Sequence, residues 1–193
     1  KRGSIATLAL VLQRPLAPPL PEHGVELRVH AVGLNFRDVL NVLGAYPGDP
    51  GPPGADCAGE VVALGPSALH RVAVGDAAFG FSPGALCSFS RGPTMLLVPR
   101  PAVLPPDAAC TLPIVWSTVH VAFEAAQSSA RHVWLVHAAA GGVGVNATEY
   151  AAWLNVRALG SLGSRAKHQH MRMAGLGNAC SVSSRDVVAF TRG

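Results

Sequence analysis

The chain has 193 residues, 49% of them hydrophobic and only 13% charged, with 21 glycines and 16 prolines. That is enough apolar chain to bury a core in one large domain or two small ones, and it excludes a disordered polypeptide. The net charge of +4 comes from scattered Lys and Arg without interleaved aromatics, so no nucleic-acid partner is expected, while an anionic small ligand would suit the surface.

Residues 4–12 are apolar enough for a strand, and 14–21, with four prolines, read as a linker or irregular loop. Val25 to Val32 alternates: Val25, Leu27, Val29 and Ala31 on one face, Glu26, Arg28 and His30 on the other, the pattern of a half-buried strand. From Asn35 to Leu43 the period changes. Phe36, Val39, Leu40 and Leu43 fall on one helical face, with Asn35 as N-cap and Gly44 as the stop. Pro47 to Gly54 is too rich in Pro and Gly for regular structure. Cys57–Leu64, Ala77–Phe81 and Met95–Val98 read as strands, so the first hundred residues predict a β-barrel or sandwich.

After Pro105-Pro106 the character changes. Asp107–Pro113 and Ser117–Ala126 look helical. Val133–His137 is a short buried strand, Gly141–Leu154 a helix, Val156–Gly160 a strand, Arg165–Ala174 a helix and Ala179–Val182 a strand. Strands alternating with helices predict a parallel α/β sheet. The four cysteines, Cys57, Cys87, Cys110 and Cys180, form no C-x-x-C pair and read as buried, reduced thiols. No apolar run approaches a membrane span and no signal peptide is visible, so no membrane partner and a cytoplasmic location are expected. A chain that starts at Lys1 reads as a piece of something longer.

The stretch Trp134 to Gly144 carries the most chemistry. A buried strand runs into small residues and then a helix, and Ala139, Gly141 and Gly144 fill the three positions of a dinucleotide fingerprint, with Ala in the first. Gly141 allows the backbone to approach a pyrophosphate, and Gly144 allows the helix to pack close to the strand. The first helical N–H groups, among them Gly142 and Val143, then face the phosphates. The next strand, Val156 to Gly160, and its turn contain no Asp or Glu to hold a ribose 2′-OH. Ser161, Gly163, Ser164, Arg165 and Lys167 follow instead. Hydroxyls and cations suit a 2′-phosphate and favour NADPH over NADH; Arg165 and Lys167 would equally begin a solvated helix face.

Three motifs in order, Gly33-Leu34-Asn35-Phe36-Arg37-Asp38-Val39-Leu40, Leu43-Gly44-Ala45-Tyr46-Pro47-Gly48 and His137-Ala138-Ala139-Ala140-Gly141-Gly142-Val143-Gly144, resemble the enoyl reductase domains of polyketide synthases. These are zinc-independent, quinone-reductase-like members of the medium-chain dehydrogenase/reductase superfamily. The likeness runs from about Val25 to Arg185. It implies a GroES-like substrate-binding barrel over residues 1–104. Residues 105–193 would be the first half of an NADPH-binding Rossmann domain, with the active site in the cleft between them. It implies NADPH reduction of an enoyl thioester carried on the phosphopantetheine arm of an acyl carrier protein, among neighbouring synthase domains.

By the same resemblance Tyr46 matches a candidate proton donor near the substrate α-carbon; the alternative is a loop residue resting on the barrel. Asn35 matches a cap or cofactor contact, Asp38 a structural residue, and Thr118 a neighbour of the nicotinamide or a plain helix residue. Gly163, Ser164 and Lys167 match a turn that grips the 2′-phosphate, and Ser184-Arg185 a pair after the third Rossmann strand that contacts cofactor or lies in a surface loop. No metal is expected. Zinc-bearing relatives have His-Glu where this chain has Ala55-Asp56, and His30, His70 and His120 lack ligand spacing.

The alternatives are a non-catalytic structural remnant of such a domain and a free-standing quinone oxidoreductase. The family continues well past the position of Gly193, so the isolated chain is expected to be inactive or poorly stable, with a buried parallel strand edge left unpaired. Asn155 stands where the family has Gly, at a position that needs tolerance of φ > 0.

Overall fold

The alternation read from Val25 onward forms β1 (Gly24–Gly33), a strand of an antiparallel sheet paired on both sides. Its companions are β2 (Asp56–Leu64), β3 (Ala77–Phe81), β4 (Phe89–Pro93) and β5 (Leu97–Pro99), in the order β4-β1-β2-β3-β5. Val25, Leu27, Val61 and Leu97 are fully buried on the inner face. Each contributes about 1.5–3 kcal/mol by leaving water. On the other face the charges pair across strands. Glu26 lies opposite Arg91 with Nε to Oε2 at 2.6 Å, and Arg28 opposite Glu60 at 2.8 Å. Among the described residues the sheet stays open and does not close into a barrel.

The computed structural model describes residues 3–14, 19–68, 71–129, 132–175 and 180–185. Part of the proline-rich 14–21 stretch, His70 and Ala179 lie outside them. The chain divides into two units, Lys1–Ile114 and Val115–Gly193.

Three local expectations change in the first unit. Residues 4–12 are not a strand: Ile5–Thr7 form a short 3-10 turn whose start is capped by Ser4 Oγ accepting from Ala6 N–H. Leu8, Leu10, Val11 and Leu12 beyond it are exposed. Apolar content alone does not make a strand without a partner backbone to complete the ladder. β4, with the sequence Phe-Ser-Arg-Gly-Pro, gave no strand signal because its pairing with β1 outweighs its poor propensity. Met95 also leaves the fifth strand, because Thr94–Leu96 form a 3-10 turn before it.

α1 (Phe36–Leu43) forms where expected and ends at Gly44, which sits in the left-handed region at φ 68°. Its orientation is the surprise. Phe36 is 74% exposed, and Val39 and Leu43 are exposed as well, whereas Asp38 and Asn41 are buried. The polar side is inward because it grips a loop. Asp38 Oδ2 accepts from Asn35 N–H and Oδ1 from Gly54 N–H, Asn41 Nδ2 donates to the Gly51 carbonyl, and Arg37 donates to the Pro50 carbonyl. The Pro/Gly segment has no secondary-structure partners for its own backbone, and the helix supplies them.

The predicted helix over Asp107–Pro113 is shorter and displaced. α2 is Pro106–Ala109, and α3 begins at Pro113 and runs to Ala125. Proline ends no helix here; it opens one, at a position where its missing N–H is not needed. Pro106–Ala125 is long and apolar enough to cross a membrane by length and composition only, a test that core helices also pass. The helix breaks between Ala109 and Pro113, and Val119 and Phe123 sit in the core of the second unit.

That second unit holds β6 (Val133–Val136), β7 (Arg157–Leu162) and β8 (Cys180–Ser183) as a parallel sheet in the order β6-β7-β8. α4 (Gly142–Trp153) joins β6 to β7, and α5 (Arg165–Met173) follows β7. Val119, Phe123, Val136, Ala151, Ala158, Leu162 and Met171 make its core, with Phe123 stacked on Trp134 at 4.1 Å between ring centroids. Asn155 has φ 56°, the conformation its place at the helix-to-strand turn demanded. Val133 and Leu135 are exposed on edge strand β6.

Asp38→Ala should cost about 2–4 kcal/mol, because it leaves two N–H groups without acceptors beneath the loop. Urea unfolding of the variant against wild type measures it.

Candidate functional site

The chemistry of the second unit gathers where its parallel strands end. β6 leads into the turn Ala138–Gly141, β7 into Gly163–Ser164, and β8 into Ser184–Arg185. In open α/β sheets ligands bind at this carboxyl edge.

The first turn is built by backbone proximity. Ala138 adopts φ 53°, a costly conformation for a residue with a Cβ, and its carbonyl accepts from Gly141 N–H. Gly144 then passes so close that a Cβ there would lie 2.5 Å from the Ala138 oxygen and 2.6 Å from Ala139 Cα. Ala139 is buried, its N–H donates to the Ser161 carbonyl, and a Cβ on Gly160 would meet its methyl group at 2.9 Å. The strand, the turn and α4 are thereby pressed together with no room for larger side chains.

Gly141 caps α4 without a side chain. The N–H groups of Gly142, Val143 and Gly144 donate to no described acceptor, and the first helical bond is Val145 N–H to the Gly141 carbonyl. Val143 is exposed and a Cβ on Gly142 would meet nothing nearer than Val115 at 3.8 Å. These donors, with the positive end of the helix dipole, form an open cradle for an anion. A dinucleotide pyrophosphate fits this test: the backbone is bare where the phosphates approach and tight where the helix must pack.

The residues after β7 divide. Gly163 faces Arg185, whose Nε would stand 3.1 Å from an added Cβ, with Ser184 Oγ at 3.5 Å. Ser184 N–H also donates to the Leu162 carbonyl, so the turns after β7 and β8 meet. Lys167 is exposed on the first turn of α5. Ser164 is exposed too, but its Oγ accepts from Lys167 N–H and caps α5. Ser161 is the residue the sequence reading placed least well. It is fully buried, and its hydroxyl shares a 2.9 Å hydrogen bond with His137 Nδ1. Thr118 is exposed on α3.

In the first unit Asn35 and Tyr46 lie just before and just after α1. Asn35 is the N-cap, its N–H held by Asp38, and its Nδ2 donates to Asp56 Oδ2 at 2.9 Å. Tyr46 is half-buried, with the Arg37 guanidinium 5.5 Å from its ring centroid, and its hydroxyl has no hydrogen-bond partner among the described residues. Arg37 and His137 were not singled out in the sequence, since neither carries a spacing signal. Asp56 was noticed only as the residue standing where zinc-bearing relatives have Glu.

Asp56 is 1% exposed, and its other oxygen accepts from Ile114 N–H at the start of α3. Burial pushes its carboxyl above the ordinary value, partly offset by the hydrogen bonds from Asn35 and Ile114. Among the described residues no three His, Cys, Asp or Glu side chains come together as a metal site. His30 is exposed on β1, and His120 Nδ1 shares a 2.7 Å hydrogen bond with Tyr150. Cys57 and Cys110 are buried free thiols and Cys87 is a partly buried one, with Cys57 pushed up to about 12 by desolvation. The Cys180 side chain lies outside the described residues.

Residues 21–95 match the alcohol dehydrogenase GroES-like domain. The chain is 35% identical over 185 residues to erythronolide synthase EryA2 of Saccharopolyspora erythraea, covering 95% of this chain and 5% of that protein. The crystal structure of the CurK enoyl reductase superposes with a TM-score of 0.86 at 30% identity, over all of this chain and 60% of that one. The chain belongs to the medium-chain reductases and is similar to the polyketide synthase enoyl reductases among them. A mycobacterial protein, Rv1454c, solved with NADPH, matches at TM-score 0.85 and 25% identity, again over all of this chain and 60% of that one. The chain thus spans about three fifths of those solved chains and a small fraction of the synthase. Its two units correspond to a GroES-like part and a partial Rossmann part.

Gly144→Ala should destabilise the chain by about 1–3 kcal/mol, since backbone atoms would have to move. Gly142→Ala, whose Cβ would meet only Val115 at an ordinary 3.8 Å, should be neutral or better, and paired urea melts compare the two. The raised carboxyl of Asp56 sets a sign as well. Its protonated form is favoured on folding, so its contribution is full below 3.8 and is lost as pH rises through the higher folded value. Relative to Asp56→Asn, wild-type stability in urea should therefore fall across that window and then level.

Proposed function

We propose that this chain is the NADPH-binding and proton-donating part of an enoyl reductase. The reaction reduces the α,β double bond of an enoyl thioester delivered by an acyl carrier protein within a polyketide synthase. The observation that carries this reading is the bare cradle at the start of α4, joined at the same sheet edge by Lys167, Arg185 and Gly163 with no carboxylate on β7.

Backbone N–H groups of Gly142, Val143 and Gly144 hold the pyrophosphate, and Ala139 and Gly141 keep the turn small enough for it to approach. Lys167 and Arg185 supply charge for a 2′-phosphate, where an acid would repel it, and Ser184 adds a hydroxyl. Gly163 leaves space for the Arg185 side chain to lie across the turn. Ser164 serves through its cap, by fixing the start of α5 and so Lys167. Ser161 acts from beneath, through His137, on the end of β6. Thr118 is assigned to the nicotinamide end and Asn35 to orienting the entry of α1.

When bound, NADPH supplies a hydride to the substrate β-carbon. Negative charge then develops on the α-carbon and thioester oxygen as an enolate, and the Tyr46 O–H gives its proton to the α-carbon. Solvent returns a proton to the phenolate. A hydroxyl with no hydrogen-bond partner among the described residues is free to make that transfer.

Saturating NADPH should raise the melting temperature of the chain, by an amount equivalent to about 2.7 kcal/mol at a hundredfold excess over Kd, and NADH should do much less. Lys167→Ala should shrink the difference. Equal shifts with both cofactors would refute the 2′-phosphate assignment, and no shift with either would favour a non-catalytic remnant. Consumption of NADPH with quinones but not with enoyl thioesters would make it a quinone oxidoreductase.

A further inference from the structure

We propose that Arg37 is a positioning residue for Tyr46, holding the phenol ring through its positive charge; this deepens, and rests on, the reading of Tyr46 as proton donor. Tyr46 sits in a stretch with no regular structure, between the left-handed residue Gly44 and the Pro50–Gly54 loop. A proton donor there needs a fixed ring, because protonation of one face of a planar enolate depends on where the O–H points. The hydroxyl itself has no hydrogen-bond partner among the described residues, so nothing at the tip of the side chain fixes it. The charged group over the ring is Arg37. Its guanidinium carbon lies 5.5 Å from the centroid, within cation–π range.

Arg37 is itself placed from two sides. Its backbone belongs to α1, and its guanidinium donates to the Pro50 carbonyl at 2.6 Å. On the same helix Asp38 holds Gly54 N–H and Asn41 holds the Gly51 carbonyl, so the far end of the loop is anchored independently of Arg37. The loop therefore has other ties, whereas the described ring contact of Tyr46 is to Arg37. A flat cation with several donors can bond a carbonyl and lie over a ring at once, which a single ammonium does less well.

The chain has only two tyrosines, Tyr46 and Tyr150, so fluorotyrosine labelling gives a spectrum in which Tyr46→Phe assigns the signals. Arg37→Gln keeps an amide to reach the Pro50 carbonyl but removes the charge; Arg37→Lys keeps the charge but loses the fork. The Tyr46 fluorine signal should move more than halfway toward its unfolded position in Arg37→Gln and stay nearer wild type in Arg37→Lys. The Tyr150 signal should be unchanged in both, which controls for loss of the second unit's fold. A Tyr46 signal that Arg37→Gln leaves in place overturns the proposal, as does one that glutamine restores as well as lysine, because the residue would then be a plain loop tie.

Reduction of an enoyl thioester by NADPH in D2O supplies the catalytic readout. Arg37→Gln should erode the facial preference of α-deuteration severalfold, with partial rescue by Arg37→Lys. An unchanged preference overturns the positioning role. If saturating NADPH leaves the melting temperature of the wild-type chain unchanged, the cofactor reading fails on its own, and the fluorine spectra still decide whether Arg37 holds Tyr46.

Discussion

The cofactor half of this protein depends on one steric fact: between β6 and α4 the backbone approaches itself so closely that a single methyl group at Gly144 would overlap Ala138 and Ala139. That contact aims the helix. It presses α4 against the end of β6 and leaves its first N–H groups pointing out of the turn with no acceptor in the described chain. Ala138 stays in a left-handed conformation, so the turn stores strain at the proposed anion cradle. Hydrogen bonding beneath it, from Ala139 to the Ser161 carbonyl and between His137 and the Ser161 hydroxyl, ties the turn to β7. The cradle is thus stiffened from below by buried groups, while the surface it offers is backbone.

The first unit solves a different problem. Its Pro/Gly segment brings backbone groups that no ladder satisfies, and α1 answers with its polar face. Asp38 and Asn41 are buried for this purpose, and Asp56 spans from Asn35 to the first turn of α3. Each carboxylate oxygen of Asp38 and Asp56 has a donor, which makes their burial tolerable. The cost falls on the opposite side of the helix, where Phe36, Val39 and Leu43 meet solvent in the described chain.

Recognition is accordingly divided by atom type. In the proposed reading, phosphates are offered main-chain N–H groups, which any sequence with enough glycine can present, and discrimination between dinucleotides is left to a few side chains at the edge of the sheet. In the proposed reaction the only side chain asked to move a proton is Tyr46, and its surroundings are a helix, a loop and a guanidinium rather than a relay of acids and bases.

The sequence alone was sufficient for features that depend on near neighbours. The alternation in β1, the Gly44 stop of α1, the strand–turn–helix at Ala138–Gly144 and the positive φ of Asn155 follow from side-chain period and from backbone freedom. The family motifs were legible for the same reason, since they are short and contiguous. Only the tertiary structure decided which face of α1 is buried, because the loop it satisfies lies well beyond a helical turn in sequence. It alone made Phe89–Pro93 a strand and residues 4–12 not one, since a strand exists through its partner. It also sent Ser161 inward to His137 and Arg185 across Gly163, placements set by the packing of parallel strands that are remote along the chain.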